Sequence, residues 1–130
     1  MSGRTVRVVM LVAGALTGTM VYAAVAPQAA LEAMFGEGLS GPLAEVLVRN
    51  WGALVGLVGA ALVYGAFVEP ARPLALALAA LSKLAFIGLA LAFGARYLGQ
   101  PLGWTLAVDG ALVVALLACL VAVRGARAGG

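Results

Sequence analysis

Residues 74–95 read LALALAALSKLAFIGLALAFGA, twenty-two residues in which Ser82 and Lys83 are the only polar side chains. A helix of that length rises about 33 Å, enough to cross a hydrocarbon core of about 30 Å. Lys83 falls roughly 14 Å from the start of the run, near the bilayer midplane. A charge at that depth costs about 3 kcal/mol on insertion scales, so it is expected to face protein or water and to have a partner.

The pattern within the run says which way the lysine faces. Positions 76, 79, 80, 83, 87, 90 and 94 lie on one helical stripe and read Leu, Ala, Ala, Lys, Ile, Ala, Gly. The opposite stripe, positions 74, 78, 81, 85, 89 and 92, reads Leu, Leu, Leu, Ala, Leu, Ala. Small residues let helices approach closely, whereas leucine suits lipid, so Lys83 rides the packable face.

The rest of the chain is of the same kind. Apolar residues make up 65% of 130 and the mean hydropathy is +1.13, well above the roughly 45–50% apolar content of soluble domains. So small a body could not hide that surface from water, which makes lipid its solvent. Histidine is absent and Cys119 is the single cysteine. Intrachain disulfides, thiolate or histidine metal sites and a histidine-ligated haem are therefore excluded, and no cofactor is expected. The net charge of +3 comes from arginines that flank apolar runs, which points to a membrane and not to nucleic acid.

Four spans are expected, at about residues 8–26, 50–68, 74–95 and 105–123, forming an all-α integral membrane four-helix bundle. The first competes with a secretory signal peptide, because Arg4 and Arg7, an apolar stretch and Ala24-Val25-Ala26 follow in that order. The run is long for a signal, and Pro27 fits poorly after a cleavage site, so it is read as a retained span. PQAALEAMF (27–35) predicts a short amphipathic helix with Pro27 at its first position and Gly36 closing it; an ordered loop with one helical turn is the alternative. Ser40-Gly41-Pro42 then begins a helix that continues into the second span. Glu69-Pro70-Ala71-Arg72-Pro73 and residues 96–103 (RYLGQPLG) make short turns, so consecutive spans form antiparallel hairpins. Trp51, Tyr97 and Trp104 are expected in an aromatic belt at one interface.

Arg4, Arg7, Arg72, Arg124 and Arg127 fall at one membrane face and Arg49 and Arg96 at the other. The excess of five over two predicts a multi-pass protein of the inner (plasma) membrane with both termini in the cytoplasm. Gly14 and Gly18 in the first span and Gly52 and Gly56 in the second, with Gly59 nearby, predict a close helix contact between those two spans. On the fourth span Ala111, Ala115, Ala118 and Ala122 offer a further small-residue seam, from which Asp109 points nearly away.

Asp109 is the candidate partner of Lys83, since the short turn makes spans three and four neighbours. At 1.5 Å per residue the two differ in depth by roughly 10 Å, which leaves room for a water or for Asn50 between them. Arg49 is the competing partner for Asp109, and a cap on its own helix is the acid's alternative role. Lys83, Asp109, Arg49 and Asn50 together are the candidate intramembrane polar site. No P-loop, dinucleotide fingerprint, HExxH or nucleophile elbow occurs. Ser82 and Lys83 are adjacent on a helix and point about 100° apart, which rules them out as a nucleophile–base pair.

The order of features is similar to that of small bacterial four-span proteins of the DoxX-like kind. The matching pieces are a first span ending in Ala26-Pro27, the Arg49-Asn50-Trp51-Gly52 start of the second, a polar residue inside the third and an acid early in the fourth. The resemblance would imply an accessory role beside a respiratory enzyme, but the chain carries no quinone or haem ligand set, so that function is not carried over. Three classes of function follow. The leading one is a non-enzymatic accessory or oligomeric membrane subunit, with the bilayer and either copies of itself or a larger membrane complex as partners. The second is a small transporter or channel that uses Lys83 and Asp109. The third, a membrane enzyme on lipid or quinone, lacks a histidine-based acid–base pair.

Overall fold

The Ser2 hydroxyl accepts a hydrogen bond from the Thr5 N–H at 3.1 Å and so caps the first helix. In the computed structural model, which describes residues 1–129, that helix opens a first span of Gly3–Val25, tightened by a 3-10 turn at Thr19–Val21. Ala26 leaves the helical region because a proline follows it, and Pro27 opens a short helix, Pro27–Phe35. Gly36, at φ +77, ends this helix in the left-handed conformation, its N–H donating to the Glu32 carbonyl at 3.0 Å. Leu31 is buried beneath this cap helix and Glu32 faces outward, the amphipathic arrangement its sequence predicts.

The second span, Pro42–Phe67, starts with proline and runs without a break. The turn Glu69–Ala71 leads into the third, Arg72–Phe93, and the fourth is Leu102–Gly129. All four are long and apolar enough to cross a membrane, and among the described residues there is no strand. The chain is an all-α helical bundle and a multi-pass membrane protein. Each helix begins before the expected span it carries, by eight residues at the second, where Ser40-Gly41-Pro42 marks the start, because helical hydrogen bonding continues past the edge of the hydrocarbon. Spans one and two, two and three, and three and four pack as neighbours; a lighter contact between four and one closes the ring.

Spans one and two make the closest approach, through the glycines expected to do so. A Cβ at Gly59 would lie 2.5 Å from the Gly18 nitrogen and 2.8 Å from the Gly14 carbonyl oxygen. Gly52 sits as tightly against Ala23 and Ala24. Backbone therefore packs on backbone, where dispersion is strongest and lipid cannot compete.

The half of the bundle toward the termini holds the main apolar core. Met10, Leu62, Leu76, Leu116 and Cys119 are fully buried there, with Ala13, Ala66 and Ala79 between them. Its rim is held by arginines on carbonyls that no longer have a helical partner. Arg72, itself buried, donates to the Gly65 and Ala66 carbonyls at 3.0 and 2.8 Å. Arg7 donates to Ala66 at 3.2 Å and Arg127 to Glu69 at 3.3 Å. Three spans are thereby tied to the end of the second and the turn after it.

Two sequence expectations change here. The fourth span does not pack through its alanines, since Ala111 and Ala118 face outward. Its buried face carries Leu102, Val113, Leu116 and Cys119. A small-residue seam serves where backbones meet, and span four stands far enough from its neighbours to need bulk. The aromatic belt is also only partial. Trp104 faces outward, but Trp51 stacks on Phe86 with ring centroids 6.2 Å apart, and Tyr97 meets Phe35 edge to face at 5.4 Å.

Candidate functional site

The third span buries the stripe that carries Lys83. Leu76, Ala79, Ala80 and Ala90 are buried with it, while Leu74, Leu78, Leu81, Ala85, Leu89 and Ala92 all face outward. Lys83 is 7% exposed. Its ammonium donates to Asp109 Oδ1 at 2.9 Å, and the acid's side chain is 15% exposed. Asp109 shares its helix face with Val113 and Leu116, so it points into the bundle and not away from its packed side.

The direct bond closes a gap that helix arithmetic had put near 10 Å. The third helix ends at Phe93 and the fourth begins at Leu102, three residues before the expected Thr105. Lys83 is then about 15 Å and Asp109 about 10.5 Å from the respective helix ends, a difference in depth that a lysine stem covers. Neither charge could be buried alone, because an unpaired ion in a medium of low polarity loses its hydration without compensation.

The other two candidates lie elsewhere. Arg49 does not reach Asp109. It donates to Glu45 Oε1 at 2.7 Å and to the Ala24 carbonyl at 2.6 Å, with Val25 at 3.3 Å. Those carbonyls end the first span, where Pro27 cannot continue the ladder, so Arg49 caps that helix. Asn50 is exposed, makes no side-chain hydrogen bond among the described residues and does not bridge Lys83 and Asp109.

The pair is not packed shut. It lines a half-open cavity of about 430 Å³ toward the cap-helix end of the bundle, to which all four spans contribute. That volume is within the range of about 300–1,000 Å³ of small-molecule sites. Val55, Val58, Phe86 and Leu112 form apolar wall, and Met34 of the cap helix also lines it. The Trp51–Phe86 stack borders this cavity and a second one of about 350 Å³ under the cap helix, beside Glu37 and Tyr97. The Tyr97 hydroxyl donates to Glu37, and that hydrogen bond, with smaller contributions from burial and the carboxylate charge, raises the phenol pKa above its ordinary value.

A further member of the site escaped the sequence reading. Thr17 lines the main cavity, is 4% exposed, and its Oγ1 has no hydrogen-bond partner. A threonine inside a helix ordinarily bonds back to the carbonyl one turn earlier. The available signal was its position three residues after Gly14, on the face the glycines had already marked as packed.

Among the described residues no cluster of histidine, cysteine or carboxylate side chains could hold a metal ion. Fold and site define a class, a multi-pass helical membrane protein with a charged pair and an orphan hydroxyl around a cavity inside its bundle. No protein-family model, curated protein or solved structure matches the chain.

Proposed function

We propose that this is a non-enzymatic membrane protein that binds a small molecule inside its bundle, with Lys83 and Asp109 as the polar end of the site. The observation that carries the reading is that the pair lines a half-open, mostly apolar cavity of ligand-binding size. A purely structural ion pair has no need of such a space, since packing forces would close it. The packing beyond the site favours binding over a channel, because Met10, Leu62, Leu76, Leu116 and Cys119 are fully buried in the half toward the termini. The proposal also places the protein in a bacterial inner membrane with both termini cytoplasmic, supported by the five-to-two arginine count. Reporter fusions at Arg127 and within residues 36–41 should fall on opposite sides, and a shared side contradicts that orientation.

The binding reading is tested by thermal denaturation of the purified protein against a panel of small amphipathic compounds. A ligand that binds only the folded state raises the Tm in proportion to its saturation. At least one compound should raise the Tm of the wild type and leave Lys83→Met unmoved. A panel with no effect, or with equal effects on both proteins, contradicts it.

A second role, packing against a copy of itself or within a larger membrane complex, is supported by a separate observation. Gly18, Ala53, Gly56 and Ala60 line an open groove of about 570 Å³ along the seam between spans one and two. A monomer in mild detergent by light scattering, with no co-purifying partner, argues against it.

A further inference from the structure

Lys83 gives one of its three ammonium hydrogens to Asp109, and Asp109 receives it on one of two oxygens. Among the described residues no other hydrogen bond is made by either group, so the pair keeps both donor and acceptor capacity. Across the ring, on span one, stands the Thr17 hydroxyl with its buried, unpartnered oxygen. A buried polar atom without a partner is rare and costly, and the residue that carries this one lines the same cavity as the pair. Val55, Val58, Phe86 and Leu112 form apolar wall in that cavity.

We infer that Thr17 is the third polar contact of this site, and that the site takes a neutral, largely apolar molecule whose head group both donates and accepts hydrogen bonds. The inference rests on the binding reading above and names the ligand's class. Charge decides it. The ammonium and carboxylate cancel, so a neutral head leaves the cavity neutral when bound. An anion shares Lys83 with Asp109 and brings a net negative charge against apolar walls. A cation does the converse at Asp109. Either leaves an uncancelled charge in a mostly apolar cavity, whereas a hydroxyl or amide can use the spare donors and acceptor of the pair with the ion pair intact.

One nitroxide ring supplies matched probes: the unsubstituted parent, and its hydroxyl, carboxylate and ammonium derivatives. Nitroxides quench tryptophan on contact, and Trp51 lines the cavity. In a Trp104→Phe background, with the full chain in lipid vesicles, Trp51 is the only tryptophan. Saturable quenching then reports occupancy, while probe dissolved in the lipid quenches linearly. The hydroxyl derivative should half-saturate at a concentration at least about tenfold below the two charged ones. Thr17→Val should weaken the hydroxyl derivative about fivefold, the worth of one net hydrogen bond, and leave the parent ring unchanged. The same substitution removes an unpaired buried oxygen, so it should raise the Tm of the protein without probe. If a charged derivative binds tightest, or Thr17→Val leaves the hydroxyl derivative unchanged, the inference is wrong and the cavity remains a binding site. If no probe quenches Trp51 saturably, the binding reading fails together with it.

Discussion

The Lys83 ammonium donates to Asp109 Oδ1 at 2.9 Å, joining the middle of the third span to the second turn of the fourth. Each charge is tolerated inside the bundle because the other is there. Removing one strands its partner, and breaking a buried pair typically costs about 3–5 kcal/mol, while replacing both with apolar residues can be neutral or stabilising. Lys83→Met and Asp109→Leu should each lower the Tm in detergent, and the double mutant should recover much of the loss. Losses that simply add indicate that the two residues have no shared partner.

Gly59 sets the distance between spans one and two. The atoms a Cβ would meet at 2.5 and 2.8 Å belong to the backbone of Gly18 and Gly14 and cannot rotate aside. Gly59→Ala should therefore force the helices apart and cost about 1–3 kcal/mol, as overpacking does in a close-packed interior. Gly110→Ala is the control, because nothing lies within 4 Å of its Cβ position. Relief of glycine's backbone entropy should make that change neutral or stabilising by up to about 1 kcal/mol. Equal thermal stability of the two variants contradicts the seam.

Tyr97 ties the turn between spans three and four to the segment that follows the cap helix, through its bond to Glu37. Its raised pKa means that the folded protein holds the phenol proton more firmly than the unfolded chain does. The stabilisation is thus fully present below the ordinary phenol value and is lost as pH rises through the raised folded value. A phenolate absorbance titration, differenced against Tyr97→Phe, should show Tyr97 ionising above the ordinary phenol range of about pH 10. Glu37→Gln should move that ionisation downward. An unchanged titration contradicts the contact.

Much of this was legible in the residues, and the exceptions share a cause. Segregation of leucine from alanine, glycine and lysine placed Lys83 on the buried face, because lipid and protein select for different side-chain sizes. The cap helix was marked by Pro27 and Gly36, whose backbone limits are local. The fourth span was misread because a run of alanines looks like a seam wherever it occurs. Whether it becomes one depends on how near the next helix stands, which is a tertiary quantity. The depth of Asp109 was misjudged because a turn's length in residues does not fix where the next helix begins. Arg49 was offered to Asp109 on depth alone, while the free carbonyls of Ala24 and Val25 were closer. Thr17 became visible only once its burial and its missing hydrogen bond were known.

The central claim is that the charged pair faces a space that molecules can enter. In a Cys119→Ala background, Val55→Cys places a thiol on the wall of that space and Leu62→Cys places one in the closed core. The thiolate attacks thiol reagents, and it forms only where water or an equivalent polar contact reaches it. A small, membrane-impermeant thiol reagent should modify Val55→Cys at least about tenfold faster than Leu62→Cys, and bound probe should slow it. Equal rates at the two positions would contradict the account, and would make Lys83 and Asp109 a pair sealed inside the bundle.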